Sequence, residues 1–341
     1  VAKRGVTIRD IAEKLGVSLT AVSFVLNNRD RGISEETRER VMNAALEMGY
    51  RRRPRFTERE DRVRVAFLTR SIHHFHFHTS FFATVYHHLI ERCQAADMDL
   101  MLLEFSPHHG EKTARQFQQL DRLDIDYFLT VNRDTAALLK EHDRRVILVQ
   151  AGAVLADTMC VYCDDREAGR QAADHAYEMG HRQAGGIFMH GQVAANTPRY
   201  AGFRERFCER GGQLDSAYCW EITGDQQKGV GELKGYVTAR PADRIPSIFY
   251  CFADHLMFSC LRAFSGAGIR VPEDVSLIGT DDLYWGRFTV PAFTTVNLRE
   301  DLFADHLLTA IRHLETGASP YHIAVPVRFV PRESVRRLAR D

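Results

Sequence analysis

Near the start of the chain, apolar positions recur at helical spacing in three short bursts. Ile11 and Leu15 share one helix face, and the spacing of Thr7 and Asp10 ahead of them has the form of a capping box. Gly16 ends that helix, because a residue without Cβ tolerates the left-handed backbone of a sharp turn. Ser18 then offers an N-cap to a second helix with Val22, Val25 and Leu26 on its buried side. Leu19, Thr20, Ser23 and Phe24 are left facing outward. A third helix is predicted from Ser34, with Glu35 and Glu36 opposing the dipole and Val41, Ala45 and Met48 as its stripe, stopping at Gly49. Three helices with such a turn make a helix-turn-helix, whose second helix offers its N-terminal residues to the DNA major groove. By spacing alone an ordinary helical hairpin remains an alternative.

From Val63 the pattern changes to short apolar runs alternating with amphipathic stretches. VRVAFLT, a helix over 81–96, DLMLLEF, a helix over 111–123 and DYFLTV read as βαβαβ, hence a parallel sheet covered by helices. The alternation restarts after Val161, with a helix over 166–179, the strand GGIFM, a helix over 196–210, and the strands AYCWEI, SIFYCF and VSLIGTD. Two such units in tandem predict two lobes with a cleft between them. Ligands of such sheets lie beyond the carboxyl ends of the strands, so polar residues there are the candidates.

Between head and body, residues 51–62 (RRRPRFTEREDR) are polar, charged and linker-like. The predicted domains are therefore 1–50, 51–62 and 63–341. At 341 residues the chain is too long for one ordinary core. Lys and Arg number 45, as do Asp and Glu, so the total charge does not point to nucleic acid. Its distribution does: residues 1–62 hold 14 basic and 10 acidic side chains, leaving 31 and 35 for the rest. A basic head on an acidic body suits phosphate contact by the head alone. No apolar run approaches the roughly 18 residues of a membrane helix, and VAKRGVTIRD lacks a signal-peptide core. A cytoplasmic protein without membrane contact is expected, and seven scattered cysteines suit reduced thiols.

The string TIRDIAEKLGVSLTAVSFVLNN, followed by ISEETRERV and ALEMGY, closely resembles the DNA-binding head of the lactose/galactose repressor (LacI/GalR) family, nearly unbroken from Val6 to Tyr50. The resemblance implies that Leu19 and Thr20 read bases, while Ser18, Ser23 and Asn27 lie near phosphates; Thr7 joins this DNA-binding set. Where the family often has an arginine that pairs with guanine, this chain has Phe24, which implies a different operator. The family's linker wedges a leucine into the minor groove. Here Arg52 and Arg53 stand in place of the family's usual Pro-Asn, the segment is shorter, no leucine falls in place, and Phe56 is the one large apolar side chain on offer. A Phe56 wedge and a basic tether in which Arg51 and Arg53 attract phosphates both stay open.

The resemblance continues through CDDREAGRQAADHAYEMGHRQAGGI, TPRYAGFRE and AGIRVPEDVSLIGTDD to PAFTTV. It implies a body like periplasmic sugar-binding proteins, with an effector gripped between the lobes by Arg199, Asp254 and Asp281, and Phe81 or Phe82 against its face. Arg supplies a fork of donors and a carboxylate supplies paired acceptors, which suits vicinal hydroxyls. Each phenylalanine is equally a core residue at a helix start. Ala253 stands where the family has an amide, and Gln226 near a usual aromatic, so the pocket is retuned.

Rival chemistry is weaker. His73, His74, His76 and His78 cluster, and Cys160 and Cys163 form a lone C-x-x-C, but no second pair completes a zinc site. There is no Walker loop, G-x-S-x-G, H-E-x-x-H or dinucleotide fingerprint, so neither catalysis nor a cofactor is expected. Asp164–Asp165 and Asp281–Asp282 are adjacent carboxylates, which point apart on an extended chain. The sequence therefore predicts a homodimeric regulator, a repressor, on a palindromic double-stranded operator. Its effector is expected to be a sugar, with a nucleobase or a metal as alternatives, and VPVRFVPRESVRRLARD carries no heptad for a tetramer.

Overall fold

A computed structural model describes residues 8–26, 33–48, 62–69, 81–106, 111–149, 155, 157–191, 193, 197–239 and 245–339. The chain divides into two compact units, Val1–Asp61 and Arg62–Asp341. In the first, α1 (Ile8–Leu15), α2 (Leu19–Leu26) and α3 (Glu35–Glu47) close on a core of Ile11, Ala12, Val22, Val25, Val41, Ala44 and Ala45. Gly16 takes φ +64° between α1 and α2, as the turn requires. Ser18 Oγ accepts from the Ala21 N–H at 3.1 Å, so the cap read there from sequence is in place, and Ser34 Oγ accepts from the Thr37 N–H at 3.3 Å at the start of α3.

The second unit contains two parallel sheets. The first is built from β1 (Arg64–Thr69), β2 (Asp99–Glu104), β3 (Tyr127–Thr130), β4 (Val146–Val149), β5 (Met159–Cys163) and β11 (His322–Val325), in the order β2-β1-β3-β4-β5-β11. Its helices are α4 (Phe81–Ala95), α5 (Glu111–Leu123), α6 (Arg133–Glu141) and α11 (Glu300–Glu315). The second sheet runs β7-β6-β8-β9, from β6 (Gln183–Met189), β7 (Gln213–Ile222), β8 (Ile248–Cys251) and β9 (Ser276–Ile278). It carries α7 (Asp165–Glu178), α8 (Pro198–Glu209), α9 (Gln226–Thr238) and α10 (Asp254–Gly266). β3, β4 and β8 are buried at every residue, which is why they read as unbroken apolar runs rather than alternating ones. β10 (Thr295–Asn297) and β12 (Arg328–Val330) pair antiparallel beside the sheets.

β5 pairs with β4 and β11 and so completes the first sheet. The chain then crosses between sheets three times, from β5 to α7, from β10 to α11, and from β11 to β12. Periodicity names an element's type but not its sheet, because β5 is as apolar as any second-sheet strand. In both sheets the strand order reverses beside the first strand of the unit, at β1/β3 and β6/β8, and crevices for ligands form at such points. No helix among the described residues is long and apolar enough to cross a membrane.

Candidate functional site

In the head, α2 presents Ser18, Leu19 and Thr20 at its exposed start, with Leu19 at 43% exposure despite its apolar side chain. Ser23 and Phe24 follow, half-buried. Leu19 and Thr20, the positions expected from the sequence to face base edges, are thus exposed. Thr7, Asn27, Arg51, Arg53 and Phe56, and the histidines 73–78, lie outside the described residues.

In the body, Arg199 organises the polar residues at the second sheet's strand ends. Pro198 fixes the start of α8, and Arg199 follows it after the β6 strand end. Its Nε and Nη2 donate to Asp165 Oδ1 at 3.1 and 2.7 Å, and its Nη1 donates to the Phe252 carbonyl at 2.6 Å. Asp281 Oδ1 stands 3.7 Å from Nη1, and the guanidinium lies 4.4 Å from the Phe252 ring centroid. Burial works against the Arg199 charge, but Asp165 and Asp281 outweigh it and hold the group more firmly protonated than an ordinary arginine.

Asp281 and Asp282 have φ of +118° and +55°, so this pair forms a strained turn and is not extended, contrary to the premise read from sequence. Their carboxylates still part company. Asp281 faces Arg199, while Asp282 accepts from Arg332, from Arg287 at 3.1 Å and from Asn297 Nδ2 at 3.0 Å. Burial raises the Asp281 carboxyl to about 7, against the pull of Arg199.

Asp254 departs from the expectation of direct contact. It is fully buried, and its oxygens accept from Thr295 Oγ1 at 2.7 Å and the Leu283 N–H at 2.9 Å. It buttresses the 281–283 turn from behind, and burial with the neighbouring Asp281 pushes its carboxyl far up. Phe81 is a core residue, edge-on to Phe303 at 5.4 Å, while Phe82 sits beside it half-buried.

The sequence shows Asp165 only as half of a carboxylate pair and gives no sign of Phe252 or Glu300. Asp165 directly follows Asp164, the N-cap of α7, at the end of β5, so the strand-end rule had already marked its place. Its approach to Arg199 depends on a tight crossing of α7 and α8 that spacing does not reveal. A Cβ on Gly169 would stand 2.2 Å from the Arg199 carbonyl, and one on Gly202 would stand 2.1 Å from that of Arg166.

Glu300 opens α11 at the second crossing, and burial raises its carboxyl to about 8, with Asp281, Asp282 and Asp301 adding to the rise. A raised carboxyl contributes stability that is complete below its unfolded pKa and lost as pH rises through the folded one. The melting temperature is therefore expected to fall from pH 6 to pH 9. Glu300→Gln should remove much of that fall, on the order of a few kcal/mol. Melting curves at pH 6, 7.5 and 9 check this; parallel pH profiles in both proteins would contradict it. On the acid side, burial lowers His181 to about 4, so its contribution is full above the ordinary histidine range and lost as pH falls towards 4.

Comparison with known proteins joins the two units. Residues 7–53 match the family of bacterial regulatory proteins of the lacI family, and residues 173–335 match a periplasmic binding protein-like domain. The HTH-type transcriptional repressor PurR of Haemophilus influenzae (strain PittEE) is 26% identical over 343 residues, covering 97% of this chain and 99% of its own. A transcriptional regulator CelR–cellobiose complex has the same fold, with TM-score 0.69 at 23% identity over 96% of this chain and 99% of that one. A lac repressor dimer bound to operator and the anti-inducer ONPF matches with TM-score 0.68 at 18% identity, over 98% and 100%. With a lacI-type head, a periplasmic-binding-protein-like body and full-length similarity to a repressor, the chain belongs to the LacI/GalR family of transcriptional regulators.

Proposed function

We propose that this DNA-binding regulator is a homodimeric repressor whose operator affinity is set by a sugar held between the two lobes of its body. The observation that carries the reading is the buried Arg199, set with Asp165 and Asp281 where β5, β6, β8 and β9 end. A donor fork flanked by carboxylates matches neighbouring hydroxyls, which both donate and accept. Arg199 and Asp281 are assigned the polar contacts and Phe82 the apolar face, with Asp254 and Phe81 supporting them. The cellobiose complex of the CelR relative supports a sugar.

For the operator, Leu19 and Thr20 read bases, and Ser18, Ser23 and Phe24 flank them; Thr7, Asn27, Arg51, Arg53 and Phe56 complete the assigned surface. One three-helix head buries too little to be specific, whereas a two-fold pair reads a palindrome. Tyr284, Trp285, Phe288 and Val290, exposed by 60, 53, 64 and 93%, give the body an apolar patch suited to a second copy.

The coupling is a differential affinity of two lobe arrangements for the effector, and it must appear reciprocally as an operator effect on effector affinity. A thermal-shift screen of sugars and nucleobases on the wild type tests the site. A hit is expected to lose most of its stabilising effect on Arg199→Ala and Asp281→Ala, at roughly 1–3 kcal/mol of binding for each lost partner. A hit that stabilises all three proteins equally would move the effector out of the cleft.

A further inference from the structure

We propose that Asp165 makes this site selective for uncharged, hydroxyl-bearing effectors and closes it to anions. The inference rests on the reading of Arg199 and Asp281 as effector contacts. A buried arginine at a strand-end crevice is by itself a binder of phosphates and carboxylates, since its planar fork fits two acceptor oxygens. Here the fork is turned inward. Two of its three nitrogens donate to one oxygen of Asp165, and the third donates to the Phe252 carbonyl and faces Asp281. The Phe252 ring lies along the guanidinium, 4.4 Å away.

Exposure decides what an incoming molecule meets. The Asp165 side chain is 21% exposed, that of Asp281 9% and that of Arg199 6%, so carboxylate comes first and guanidinium last. Two carboxylates, Asp165 and Asp281, flank the one guanidinium. Asp282 does not shift this balance, because Arg332 and Arg287 already hold it. An anion approaching this rim is repelled and must also displace Asp165 from Arg199. A hydroxyl group carries no charge to be repelled, and it can donate its hydrogen to these acceptors.

Asp165 holds this place through backbone geometry. It is the first residue of α7, and the close crossing at Gly169 and Gly202 draws it to Arg199 on α8. The charge preference is therefore built by one side chain on a rigid element, and a single substitution should reverse it.

The test uses the full chain in thermal-shift titrations at fixed ionic strength. Sulfate and glucose 6-phosphate are the anionic probes, with chloride as reference, and each variant is read against its own baseline. The wild type is expected to gain nothing from either anion beyond chloride. Asp165→Asn, which keeps the shape and removes the charge, is expected to bind both at least about tenfold more tightly, as loss of one like charge at close range implies. Arg199→Ala in the Asp165→Asn background should abolish the gain, and Asp165→Glu should show none. If Asp165→Asn does not melt cooperatively, Asp165→Ser carries the same expectation. Arg199-dependent stabilisation of the wild type by either anion would overturn the proposal, as would an Asp165→Asn protein that gains nothing. Failure of the cleft reading looks different: an uncharged sugar would then stabilise the wild type and Arg199→Ala alike, whatever the anions do.

Discussion

Gly202→Ala is expected to destabilise the body by about 3 kcal/mol, at the upper end of what overpacking costs. The added Cβ would stand 2.1 Å from the Arg166 carbonyl oxygen and 2.9 Å from its carbon, and a backbone carbonyl cannot rotate away as a flexible side chain can. Gly169→Ala meets the Arg199 carbonyl at 2.2 Å and should behave alike. Either change must separate α7 from α8, so it should also pull Asp165 from Arg199 and weaken the effector response in whatever protein still folds. Gly235→Ala provides the contrast. It lies within α9 with open space around the new methyl group, and it should be neutral or stabilising by up to about 1 kcal/mol. Chemical denaturation of the three variants reads the difference; equal midpoints for Gly202→Ala and Gly235→Ala would remove the close crossing from the account.

Asp282→Ala should cost about 3–5 kcal/mol, the usual result of stranding a buried charge. The Asp282 carboxylate ties the turn after β9 to Asn297, the last residue of β10 before the second crossing, and to Arg332, which follows the third. Removing it leaves Arg332 with its guanidinium largely enclosed and opens both returns of the chain at once. Asp282→Asn keeps the shape and part of the hydrogen bonding, and it should cost less than half as much. Urea midpoints measure both, and a mild Asp282→Ala would show that the two crossings do not depend on this side chain.

Much of this was legible in the chain, and the reasons differ by element. The head was readable residue by residue because capping, the Gly16 turn and the apolar faces of α1 and α2 are local properties. Strands β1–β3 and β6–β9 and helices α4, α5, α7 and α8 of the body were readable from their alternation. The membership of β5 was not, since sheet partners are chosen by long-range packing. Arg199 and Asp281 entered by resemblance, and their geometry then followed from α8 and the strained turn after β9. Asp165 was hidden because its contact is made by two glycines on separate helices, each of which looks unremarkable in a helical stretch. Two of the partners of Asp282, Asn297 and Arg332, lie 15 and 50 residues along the chain, beyond the reach of any motif.

Selection of DNA from a random duplex library by the purified wild type, repeated with Leu19→Ala and Thr20→Ala, tests whether α2 reads the operator. The expected result is one enriched site with two-fold related halves, and a changed base preference in each variant worth about 1–3 kcal/mol per half-site. Enrichment of no sequence over the input, or an identical site for all three proteins, would contradict a regulator that reads its operator through α2.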